Sequence, residues 1–66
     1  MPKDNHADRC RKIHDVGVER HPHSWFRCNV AAVNAINAAG GRAEDPLIKE
    51  IASDIVLRVL DAVEAP

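Results

Sequence analysis

Tyrosine is absent from this 66-residue chain, and Trp25 and Phe26 are its whole aromatic complement. Glycine occurs three times and cysteine twice. Each scarcity excludes something. Three glycines among ample aliphatics rule out collagen-like or disordered composition. No stretch approaches the roughly 18 apolar residues of a membrane span. No sustained alternation of β-branched residues is present, so no sheet is expected. Internal repeats and low-complexity tracts are missing too. The length leaves no room for a two-domain enzyme or a cofactor-binding α/β unit, so residues 1–66 read as one small domain. Residues 1–18 lack the apolar segment of a signal peptide, and two cysteines are few for a small secreted domain. The expected setting is therefore cytoplasmic, with both thiols free.

What is present is aliphatic and rich in alanine. Apolar residues make up 45% of the chain, and ten of them are alanine. A domain this small buries only about 60% of the surface of its unfolded chain, which is marginal for a monomer. The net charge of −1 divides unevenly, with +2 over residues 1–29 and −3 over residues 30–66. All four histidines lie in the basic part.

Glycine and proline punctuate three segments. The last carries the clearest period: Asp45 suits an N-cap and Pro46 the first turn. Ile48, Ile51, Ala52, Ile55, Val59, Ala62 and Val63 share one face, which predicts a helix over about 46–64. Glu50, Asp54 and Asp61, with Leu57 beside them, form a ridge on the other side. The middle segment predicts a helix over about 24–39. Ser24 is its expected cap and Gly40 its stop, with Trp25, Cys28, Ala32 and Ile36 on one side. Asn29 falls on or near that face, as a satisfied amide or a register-setting contact across a dimer. The short connection between them makes an antiparallel helical hairpin. Residues 4–16 read as a short, weakly apolar helix capped by Asp4. Residues 1–20 either lean on the hairpin or take their order from a partner.

The expected architecture is thus all-α: a hairpin with a short N-terminal helix. It demands more burial than one copy supplies, so two copies are expected to form a four-helix bundle. Trp25, Ala32, Ile36, Ile48, Ile51, Ile55 and Val59 are the expected core and dimer contacts.

Three constellations bear on function. Cys10, His14, His23 and Cys28 offer the sulfur and imidazole donors that zinc prefers, although without the usual C-x2-C spacing. A zinc-stabilised or metal-responsive module is therefore one alternative, against cysteines that are small core residues and no cofactor at all. Arg9, Arg11 and Lys12 could contact phosphates, which makes a nucleic-acid-binding regulator a second alternative, opposed by the interleaved acids. The ridge of Glu50, Asp54, Leu57 and Asp61 reads as a docking surface for a protein partner or as a plain wet face. Nucleophilic chemistry by Cys28 with His23 and Asn29 lacks a walled pocket. The leading expectation is a non-enzymatic, homodimeric module that binds another protein as a regulator, inhibitor or accessory subunit.

Overall fold

The computed structural model describes residues 5–64. Among them lie three helices and no strand: α1 (His6–Arg20), α2 (Trp25–Ala38) and α3 (Pro46–Val63). Asp4, the expected first cap, lies outside the described residues, and Asn5 at the cap position makes no side-chain cap bond.

The first helix is longer than expected, because Gly17 does not break it. Gly17 is buried inside α1, and a Cβ there would stand 2.2 Å from Cε3 of Trp25. The glycine is needed for that close approach, so the indole lies flat against the α1 backbone. The helix stops at His21 instead, where Pro22 follows and disfavours a helical conformation in the residue before it. His21 has φ −132° and ψ 60°, and its N–H still donates to the Gly17 carbonyl at 2.8 Å.

The other two helices lie within a residue or so of their expected bounds. Gly40 takes φ 87°, the left-handed value a helix stop calls for. The N–H groups of Gly40 and Gly41 close back on the carbonyls of Asn37 and Ile36, at 3.1 and 2.8 Å. Asp45 caps α3 by accepting the Leu47 N–H at 2.9 Å, with Pro46 in the first turn. Ser24, by contrast, does not cap α2, because its hydroxyl donates to Glu64.

The packing around α3 also differs in emphasis from expectation. α3 makes its more extensive interface with α1 rather than α2. Arg9 meets Glu50 and Arg20 meets Asp61, both at a sequence offset of 41, so α1 and α3 run parallel in a fixed register. The N-terminal segment is therefore a principal partner of α3, and α2 carries the chain back between them. The core is small: Trp25 (0% exposed), Leu60 (5%) and Val56 (8%), with Ile13, Cys28, Ala32 and Leu57 packed around them.

Because the Gly17–Trp25 contact holds α1 against α2, substituting Gly17→Ala tests it directly. A helix-interior Gly→Ala change ordinarily stabilises by about 0.5–1 kcal/mol. Here the added methyl has no space, and overpacking should make the net effect destabilising by about 1–3 kcal/mol. Urea denaturation followed by Trp25 emission reads the sign.

Candidate functional site

Two features built on α3 stand out: a polar corner at its C-terminal end and an apolar groove along its side. The corner is organised by His21. Its side chain is only 6% exposed, and both ring nitrogens face carboxylates of α3. Nε2 lies 2.7 Å from Asp61 Oδ1 and Nδ1 2.9 Å from Glu64 Oε1. Arg20 donates to the second Asp61 oxygen at 2.9 Å, and the Ser24 hydroxyl to the second Glu64 oxygen. The hydrogen bond to Asp61 is the main influence raising the His21 pKa, which burial opposes and Glu64 reinforces. Asp61 is held below its ordinary value chiefly by the bond from His21. Glu64 is lowered first by the Ser24 hydroxyl and then by His21.

A second polar clip lies near the start of α3. His6 Nδ1 lies 2.7 Å from Glu50 Oε1 and 2.8 Å from Arg9 Nη2, and Arg9 Nε donates to the same Glu50 oxygen at 3.1 Å. The His6 hydrogen bond is the leading cause of a lowered Glu50 pKa. Two members of the acidic ridge are thus turned to α1 rather than standing clear as a docking face. The reason is the basic face of α1, which meets α3 in register. Leu57 packs against the core cluster, and Asp54 pairs along its own helix with Arg58 at 3.0 Å. The same pairing bears on the basic segment: Arg9 is committed to Glu50 and Lys12 lies 4.0 Å from Asp8, while Arg11 is exposed.

The Cys/His residues have separate partners. Cys10 faces Ser53, with Sγ and Oγ 3.6 Å apart. His14 Nδ1 accepts the Trp25 indole N–H at 2.8 Å, and its ring stands edge-on to Trp25 and Phe26. Cys28 packs against the core cluster and His23 is exposed. Among the described residues, no three His, Cys, Asp or Glu side chains are grouped to hold a metal ion. Asn29 is half-buried and satisfied locally, donating to the Trp25 carbonyl at 2.9 Å. A small cavity of about 210 Å³ lies where the helices meet, with Cys10, His14, Asn29, Lys49 and Ser53 among its lining.

The larger opening is a groove of about 550 Å³ between α2 and α3. Its lining is alanine, isoleucine, valine and one glycine, with no charged or polar side chain. Several aliphatics expected in a core are half open to solvent: Ile51 (48% exposed), Val59 (52%) and Ile55 (54%). Ile48, Ala32 and Ile36 are half-buried along its walls. No helix among the described residues is long and apolar enough to cross a membrane.

The indole bond to His14 yields a second prediction. Replacing His14→Leu preserves apolar bulk but leaves the fully buried Trp25 N–H without its acceptor. An unsatisfied buried donor costs about 1–3 kcal/mol. The urea midpoint should fall accordingly, while circular dichroism in the native baseline keeps its helical content. No family model, curated protein or solved structure matches the chain.

Proposed function

We propose that the chain is a small, non-enzymatic interaction protein that works as a homodimer, presenting its outer helical surfaces to another protein as a regulator or accessory subunit. The observation that carries this reading is the uncharged groove between α2 and α3, flanked by half-exposed isoleucines and valines. Contiguous apolar surface rimmed by polar residues is what interfaces leave open in an isolated subunit. A chain of this size, with three large apolar side chains buried among the described residues, also gains stability from association.

The pattern of the stripe favours a second copy of this chain as the occupant. Ile48, Ile51, Ile55, Val59 and Ala62 are spaced symmetrically about Ile55. An antiparallel α3 from a second copy, crossing at Ile55, sets Ile51 against Val59 and Ile48 against Ala62. Such a contact is isologous and closes as a two-fold dimer. Electrostatics offers no opposition: the groove lining is uncharged, Asp54 and Arg58 neutralise each other beside it, and the net charge is −1. Stacking α2 and α3 on their copies gives the four-helix arrangement that covers these aliphatics.

Sedimentation velocity at micromolar concentration tests this. The wild type should sediment as a dimer, and Ile55→Glu should weaken association at least tenfold, because it places a charge at the centre of the interface. Val30→Glu, at an exposed α2 position outside the groove lining, should leave association unchanged. A monomeric wild type, or an Ile55→Glu variant that dimerises like wild type, would overturn the proposal.

A further inference from the structure

We propose that His21 is a proton-operated latch: its doubly protonated ring ties the corner between α1 and α2 to the last turn of α3, and loss of one proton loosens that turn. The argument starts from the donors. Both ring nitrogens are within hydrogen-bond distance of a carboxylate oxygen, Asp61 on one side and Glu64 on the other. A carboxylate only accepts, so each nitrogen must carry a proton to bond. A neutral imidazole has one N–H and one lone pair, and here the lone pair would face a negative oxygen. With 6% of the residue exposed, water has little access to relieve that mismatch.

The backbone makes the same residue a junction. The His21 N–H ends α1 on the Gly17 carbonyl, and the His21 carbonyl accepts from Ser24 and Trp25 at the start of α2, at 3.2 and 2.9 Å. Its ring therefore joins the third helix to a corner already fixed by main-chain bonds. Two helix C-termini meet here, since His21 follows α1 and Glu64 follows α3, and carbonyl ends favour a cation. Asp61 and Glu64 of α3 face the ring, and around them stand Arg20 of α1 on Asp61 and, from the turn into α2, the Ser24 hydroxyl and His23 beside Glu64. The two carboxylates bond to the ring directly and are the charged groups that act on it. When the ring loses a proton, Arg20–Asp61 and Ser24–Glu64 remain as exposed contacts, and one carboxylate loses its buried donor. Leu60, on the same turn, belongs to the cluster that covers Trp25.

The direction with pH follows from the shifts. His21 is raised above its ordinary value near 6.5, so the latch is fully closed below that pH and opens as pH rises through the folded-state value. Asp61 and Glu64 are lowered, so their part is complete above the ordinary carboxylate range of about 4 and fails as pH falls through their folded-state values. The last turn of α3 is accordingly held most firmly in mildly acidic solution.

The test is a pH series on the intact protein, from about pH 4 to pH 9, reading the His21 ring resonances and amide exchange by NMR. Exchange rates are corrected for their intrinsic pH dependence. Protection of the Asp61–Glu64 amides should fall several-fold as pH rises through the His21 midpoint, while protection around Ser53 and Val56 holds. Asp61→Asn and Glu64→Gln keep the corner's main-chain bonds and should each lower the His21 midpoint. The proposal fails if the midpoint is unmoved in both variants, or if protection of the last turn does not change across the wild-type midpoint. These readings come from the wild type and two conservative variants, so they do not depend on whether His21→Gln folds.

Discussion

The fold turns on one close approach: an indole laid against a helix backbone. Trp25 is the largest side chain in the molecule and, among the described residues, the only large one fully buried, and it reaches that position because Gly17 has no Cβ. Everything else in the core is arranged around it. His14, one turn before Gly17, accepts the indole N–H, so burial of the ring leaves no orphaned donor. Val56 and Leu60 complete the cluster from α3. Three helices with so few large side chains in contact gain their cohesion from one ring that touches all of them.

Polar contacts then fix what the small apolar core leaves loose, namely the slide of α3 along α1. Hydrophobic packing is non-directional, and a cluster this small tolerates movement along the helix axis. The ion pairs do not. Arg9 with Glu50 near one end and Arg20 with Asp61 near the other set a single register, and shifting α3 by one turn would break both. Exposed pairs of this kind stabilise little, so their contribution is alignment more than energy. His21 differs, because its buried ring bonds two carboxylates at once.

Much of the local structure was legible in the sequence. Asp45-Pro46 announced the start of α3, Gly40 the end of α2, and the 3.6-residue period the apolar stripe. The rest depended on contacts between elements distant in sequence. Gly17 looked like part of a break because a lone glycine serves equally in a turn and at a close approach, and only its neighbour decides. Glu50 and Asp61 looked solvent-facing because the period of one helix does not distinguish water from an oppositely charged helix. A signal for that pairing was available: Arg9 and Arg20 are eleven residues apart, and so are Glu50 and Asp61. Eleven residues is close to three turns, so two charges on each helix repeat at one spacing. The His21 corner gave no comparable sign, since a histidine before a proline reads as loop until two carboxylates are found against it.

The short side chains of α2 also explain why α3 leaves its most apolar stripe open. A helix flanked by two others in a chain this short has two contact sides to assign. On the α1 side it meets basic residues, and its acids turn that way, bringing Ser53, Val56 and Leu60 into the buried interface with them. That rotation fixes where the remaining side chains point. Ile51, Ile55 and Val59 are carried away from α1 toward α2, whose facing positions are largely alanine and too short to cover them. The half-exposed isoleucines therefore follow from the short side chains that α2 sets opposite them, with the ion pairs fixing only the register. An α2 with larger side chains would close the groove and cover the stripe.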